Sequence, residues 1–309
     1  MKIEKKTQTI LGCDKSYEES VIVLFGAPFD STTSNRPGAR FASAAIRSES
    51  DGMETYSPYQ DRDLTDIYVM DSGDLELPFG DPEPALQMIE AYVGQLLTDK
   101  KIPGMIGGEH LVTLGAMRAM VKQYDDLHII HFDAHTDLRE DYLGQTLSHA
   151  TVMRRCHDLV GDGRIFQFGI RSGLREEFSF AKEHQFLKKF DLKGIDTVAQ
   201  ALADKPVYLT VDLDVLDPAC FPGTGTPEAG GVSFKELLLA LNELAGLNIV
   251  GFDLNELSPM LDPSGASTAL ACKVLREMLF YVHKNKVYTM KVKPAQAEEK
   301  ENPVETEKK

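Results

Sequence analysis

LHIIHFDAHTD, residues 127–137, decides the fold class. An apolar run too short for a core helix is followed at once by a dense string of polar residues. A strand buried on both faces ends in this way when its chain turns outward at the edge of a parallel sheet. Six similar runs lie elsewhere: VIVLFGAP (21–28), DIYVMDSG (66–73), IPGMIGG (102–108), RIFQFGI (164–170), VYLTVDLD (207–214) and NIVGFDLN (248–255). Between them, residues 83–97, 110–124, 233–244 and 267–284 carry apolar side chains at helical spacing, with Leu270, Val274, Leu275, Met278, Leu279 and Val282 forming one stripe. Ser233 and Glu236 have the spacing of a helix-starting capping box. Strands alternating with helices predict an α/β fold whose mainly parallel sheet is covered on both faces. Seven strands are visible, and an eighth is hidden.

The 309 residues show no internal repeat and no Pro- or Ser-rich linker between 20 and 290, so one domain is the simpler organisation. We expect an N-terminal extension over 1–20, a catalytic domain over 21–290, and a charged, disordered tail over 291–309. A formal charge of -15 without a basic cluster argues against nucleic acid or an anionic membrane as partner. Cys13, Cys156, Cys220 and Cys272 are too scattered for a zinc cage or a disulfide framework, which predicts a reducing, cytoplasmic setting. No signal peptide and no apolar run of membrane-spanning length is visible.

Three of the strand ends carry metal-ligand side chains: His110 in IGGEH, Asp133, His135 and Asp137 in HFDAHTD, and Asp212 and Asp214 in TVDLDVLDP. Extended residues two apart face one side, about 7 Å apart, which suits a shared ion cluster. Taken singly, each segment reads as well as a polar turn or a strand terminator. Taken together, carboxylates crowded at one sheet edge repel unless a cation holds them. Four carboxylates and two imidazoles exceed what one small ion needs and suit two divalent cations with an activated water, which points to hydrolysis. Oxygen-rich donors without thiolate favour manganese over iron, cobalt, nickel or zinc. Glu256 follows a fourth strand and is a candidate anchor for a cationic substrate, with a salt bridge or helix cap as the alternative. His149 opens a helix a dozen residues after Asp137; it is either a proton shuttle or an ordinary capping histidine. His128 and His131 lie within an apolar run and read as core residues.

GGEH, DAHTD, VDLDVLDP and GFDLNELSP, in this order, resemble the ureohydrolase family of arginases and agmatinases. The likeness runs from FGAPFD at Phe25 through RPGARFASAAIR to the helix after Ser267. It implies a three-layer α/β/α domain with a mainly parallel eight-stranded sheet and two manganese ions per subunit at its carboxyl edge. By the same resemblance, His110 and Asp137 serve one ion, His135 and Asp214 the other, and Asp133 and Asp212 bridge them. His149, Glu256 and Asp137 would be the catalytic residues, as proton shuttle, guanidinium anchor and orienter of the attacking hydroxide respectively. A homo-oligomer, trimer or hexamer, is also implied.

The residues around DAHTD depart from the arginase pattern, which has an Asn and a Ser-Gly-Asn-Leu-His-Gly run there; this chain has Leu138, Arg139 and Glu140, and later SHATVMRR. SHATVMRR, QFGIRSG (167–173) and GTGTPEAGG (223–231) look most like the prokaryotic agmatinase branch. That likeness implies hydrolysis of a small cationic guanidino substrate, agmatine, to putrescine and urea. Arg139 keeps open a carboxylate-ended substrate such as guanidinobutyrate, and within the family arginine or aminopropylagmatine are further alternatives. Glu140 and Asp141 read as a solvated loop rather than as a site for the distal ammonium. A dinuclear phosphoesterase would use similar donors, but there is no GNH segment, and Arg139 and Arg171 are poor phosphate clamps.

Overall fold

The computed structural model describes residues 8–290, with side chains through His283, so the expected tail over 291–309 lies outside the described residues. The chain forms ten strands among these residues: β1 (Ile22–Ala27), β2 (Tyr56–Ser57), β3 (Arg62–Asp63), β4 (Val69–Asp74), β5 (Ile102–Gly107), β6 (His128–Phe132), β7 (Ile165–Ile170), β8 (Phe186–Lys189), β9 (Pro206–Asp212) and β10 (Asn248–Asn255). Eight make one sheet in the order β4-β1-β5-β10-β9-β6-β7-β8, while β2 and β3 form a small ribbon. Every pairing within the large sheet is parallel. The seven expected strands are all present. The eighth, β8, is an edge strand whose FLKK sequence is half-buried at best, so it lacked the apolar run that revealed the others.

Eight helices among the described residues cover the sheet: α1 (Ala42–Ser50), α2 (Pro82–Thr98), α3 (Val112–Gln123), α4 (Val152–Val160), α5 (Arg175–His184), α6 (Ile195–Ala201), α7 (Phe234–Glu243) and α8 (Ala266–Met290). Strand side chains alternate between two cores. Ile22, Leu24, Val207, Leu209 and Val211 join α1, α6, α7 and α8 on one face. Val23, Phe25, Met105 and Tyr208 join α2, α3 and α4 on the other. The result is the three-layer α/β/α architecture. Residues 8–20 lie along the β4 edge: Ile10 and Cys13 are buried, and the Ile10 amide donates to Asp71 Oδ2 at 3.0 Å. No helix among the described residues is long and apolar enough to cross a membrane.

Topology positions the site. The chain builds β1, β4 and β5 on one side, then β6, β7 and β8 on the other, and finally inserts β9 and β10 between β5 and β6. The loops leaving β5, β6, β9 and β10 therefore meet at the middle of the carboxyl edge, where parallel sheets open a crevice.

Candidate metal centre and active site

Each site residue sits where the backbone turns off its strand. After β5, Gly107 and Gly108 pass so close to the neighbouring loops that a Cβ on Gly108 would collide with the Phe29 carbonyl oxygen, and one on Gly107 with the Asn255 amide. That proximity lets the Gly108 amide donate to Ala27 O at 3.0 Å and the Glu109 amide to Phe29 O at 2.8 Å. His110 then projects over the sheet edge, its own amide donating to Glu256 Oε1 at 2.8 Å. After β9, Asp212 caps a 3-10 turn by accepting from the Asp214 amide at 2.8 Å. Asp137 and Glu256 have positive φ, 53° and 65°, the left-handed region that non-glycine residues occupy mainly where surroundings enforce it.

The six expected ligands converge. His110 Nδ1 lies 3.1 Å from Asp133 Oδ2, 3.2 Å from Asp137 Oδ2 and 3.5 Å from Asp212 Oδ2. His135 Nδ1 lies 2.9 Å from Asp214 Oδ2 and 3.5 Å from Asp133 Oδ1. Asp133 thus turns one oxygen to each histidine. Five of the six, His110, His135, Asp137, Asp212 and Asp214, line a cleft of about 390 Å³, with Glu256, His149, Ser34, Arg139 and Tyr142 around it, and Asp133 is buried behind them.

Burial and crowding shift the charges of this arrangement. Burial, reinforced by the Asp133 carboxylate, raises Asp137 to about 7. Burial and the neighbouring Asp214 and Asp133 push Asp212 well up, and burial with Glu109 does the same to Glu256. For His110 and His135 burial opposes the charged form, yet the facing aspartates raise both well above the ordinary value. Like charges are crowded in a dry site, and cations bound by the carboxylates would relieve the repulsion. The donor set fits that need, with four aspartates and two imidazole nitrogens within reach of one another.

Several supporting residues carried no distinct sequence signal. His131 is buried, as expected of a core residue, but its Nε2 is 2.8 Å from Asp133 Oδ2. Gln167 donates to His131 Nδ1 at 2.9 Å, which places the histidine proton on Nε2 and makes it a donor to Asp133. Burial lowers the His131 pKa, in keeping with that neutral form. Thr210 Oγ1 meets His110 Nε2 at 2.8 Å and fixes that ring from behind. Buried Glu177 accepts from Thr136 Oγ1 at 2.6 Å and from the Leu138 amide at 3.0 Å, bracing the loop that carries Asp137. Asp253 is also buried; it accepts from Thr113 and Tyr208 hydroxyls, each at 2.8 Å, and does not line the cleft.

His149 opens a short 3-10 turn capped by Ser148 and reaches the cleft rim. Its Nε2 is 3.2 Å from Ser34 Oγ, and its amide donates to Thr32 Oγ1 at 3.1 Å. That threonine hydroxyl in turn donates to Glu109 Oε1 at 2.6 Å, so the buried Glu109 holds the 30–34 loop against His149. Burial lowers His149 to about 4. Glu140 instead pairs with Arg154 at 2.7 Å, and Asp141 accepts from the Gly144 amide; neither lines the cleft. Arg171 spends its guanidinium on the carbonyls of Asp214, Val215, Leu216 and Glu228, which leaves it no phosphate-clamping role.

Residues 20–281 match the profile of the Arginase family. The chain belongs to the arginase family. Family relatives include agmatinases of Bacillus cereus, 52% identical over 268 residues, and of Bacillus subtilis, 50% identical over 267 residues; each match covers 85% of this chain and 92% of the relative. Among solved family structures, the agmatine ureohydrolase of Thermoplasma volcanium superposes with a TM-score of 0.84 at 36% identity, covering 93% of this chain and 98% of that one. The arginase-like fold and the family expected from GGEH, DAHTD, VDLDVLDP and GFDLNELSP are thereby established.

Proposed function

We propose that this protein is an agmatinase, hydrolysing agmatine to putrescine and urea. It is a hydrolase of amidine C–N bonds by family. One observation carries the reading: two imidazoles and four carboxylates from three strand ends converge at the base of a cleft that Glu256 also lines. The identity of about half the residues with Bacillus agmatinases supports agmatine among the guanidines.

His110, Asp133 Oδ2 and Asp137 would hold one divalent cation, and His135, Asp214 and Asp133 Oδ1 the other, with Asp212 shared; manganese suits these donors best. When bound, such a pair supplies a deprotonated water near neutral pH. The protein does the rest. Four aspartates balance two dications, so the Glu256 carboxylate leaves the cleft attractive to a planar guanidinium. Its Oε1 is fixed by the His110 amide, which leaves Oε2 to accept guanidinium N–H groups and orient the carbon. Asp137 would orient the attacking oxygen by accepting a hydrogen bond from it. His149, neutral at pH 7, takes up the proton that the added oxygen gives up as the tetrahedral centre collapses to urea, and passes it to the departing amine.

Arg139 bears on the substrate tail. Its guanidinium lies 4.6 Å over the Tyr142 ring and its Nε 3.7 Å from Glu177 Oε2. Pairing offsets its charge, which weakens the case for a carboxylate-ended substrate and favours the ammonium of agmatine. Putrescine as product gives the enzyme a place in polyamine biosynthesis. Four unpaired cysteines support a cytoplasmic location, and family resemblance supports a trimer or hexamer. The test is urea release by manganese-loaded protein from agmatine, arginine, guanidinobutyrate and aminopropylagmatine. Agmatine is expected to have the highest kcat/KM; a clear preference for any other member of the panel overturns the substrate assignment.

A further inference from the structure

Far along α4 from the cleft, a second set of nitrogen and oxygen donors comes together. His157 Nε2 lies 2.8 Å from Asp162 Oδ1, and His184 Nδ1 lies 2.9 Å from the same oxygen. Three pieces of chain supply them: His157 is on α4, Asp162 is on the turn that follows, and His184 ends α5. Among the described residues, three groups of His, Asp, Glu or Cys bring their ligand atoms within 4.8 Å of one another; two belong to the cleft, and this is the third. We propose that His157, Asp162 and His184 form a surface site for a divalent transition metal of the zinc, nickel or copper class.

The donor chemistry differs from that of the cleft. Two imidazoles to one carboxylate is a nitrogen-weighted set, which suits zinc, nickel or copper better than manganese. Three protein ligands fill three corners of a tetrahedron and leave the fourth for water. Side-chain exposures of 14%, 68% and 33% for His157, Asp162 and His184 give the ion an open entry path.

The ligands are also held in place without an ion. His157 meets the Phe180 ring edge-on at 4.9 Å, and His184 lies against the same ring at 4.4 Å, tilted by 30°. The Gly163 amide donates to His184 O at 2.7 Å and ties the Asp162 turn to the end of α5. Rings fixed in this way lose little freedom on binding. The far nitrogen of His157 adds a separate argument. Its Nδ1 is buried without a hydrogen-bond partner, and Asp158 Oδ1 stands 3.9 Å away. A His157 ring engaged with Asp162 through Nε2 leaves Nδ1 buried and unpartnered. With Nε2 on a metal, the ring proton moves to Nδ1, where a small side-chain rotation makes Asp158 its acceptor. Such an ion would staple the carboxyl ends of α4 and α5 together.

Zinc chloride is the probe, applied to the full-length protein already loaded with manganese. Crystals soaked in it and measured at the zinc edge should show an anomalous peak about 2.0–2.1 Å from His157 Nε2 and His184 Nδ1. In solution the protein should bind one more zinc per subunit than the H184Q and D162N variants, with agmatine turnover in both variants unchanged. A zinc-dependent rise in Tm should be larger for the parent protein than for the variants. No peak at these residues, or equal zinc stoichiometry in parent and variants, overturns the proposal. Turnover plays no part in that outcome, so it is independent of the assignment of the cleft.

Discussion

At the residue scale, the roles proposed for Glu256 and His149 separate binding of the ions from use of the substrate. Glu256 holds the His110 amide through Oε1, and a glutamine can keep that acceptor while losing the charge that attracts a guanidinium. E256Q should therefore retain its manganese, measured by elemental analysis, while kcat/KM for agmatine falls by at least about 100-fold, the scale expected from lost orientation. Unchanged turnover removes Glu256 from the reaction. Glu109 acts at one remove, through Thr32 on His149. E109Q should lower kcat by roughly 10-fold or more and alter the pH profile, while H149N should lose about 100-fold or more because a proton carrier is gone. A pH profile of E109Q that matches the parent's would assign Glu109 a purely structural role. The six candidate ligands were legible because each stands at or just beyond the end of an apolar run. His131, Thr210 and Glu177 were not, since a polar residue inside a strand or at a helix start has no periodic signature and acquires its role only from the strand beside it.

At the element scale, the strands that place the site were the easiest to read, because central parallel strands are apolar on both faces. β5, β6, β9 and β10 are buried almost throughout. β8 was invisible for the converse reason: an edge strand with lysines carries little apolar signal. The sequence also showed how α7 begins. Ser233 N donates to Glu236 Oε2 at 2.8 Å, and the Glu236 amide donates to Ser233 Oγ at 3.3 Å, the reciprocal capping box. S233A should cost about 1 kcal/mol in denaturant unfolding without altering urea release. Strand order, by contrast, was not legible. Inserting β9 and β10 between β5 and β6 depends on long-range pairing, and it is this step that joins His110 to Asp212 and Glu256.

At the scale of the whole molecule, the buried charges couple ion binding to stability. Asp137 and Glu109 are raised to about 7, and Asp212 and Glu256 are raised well above their ordinary values, in each case chiefly by burial. Groups with raised folded pKa values stabilise the protein below their unfolded pKa and lose that contribution as pH rises through the folded value. His110 and His135, raised by the facing aspartates against their burial, act in the same direction. Asp133, lowered despite its burial by His131 and the neighbouring histidines, acts oppositely as pH falls, and His131 and His149, lowered by burial, offset part of the effect as pH rises through the unfolded histidine value. Metal-free protein should therefore have a lower Tm at about pH 8 than at about pH 6, and manganese should raise Tm more at the higher pH. A metal-free Tm that climbs across this range contradicts the charge assignment.

Anomalous scattering at the manganese edge, from crystals of manganese-loaded protein, tests the central claim most directly. The account predicts two peaks in the cleft, one beside His110 Nδ1 and Asp137 Oδ2 and one beside His135 Nδ1 and Asp214 Oδ2, with Asp133 touching both. A cleft without anomalous density, with these six side chains turned away from one another, would contradict it.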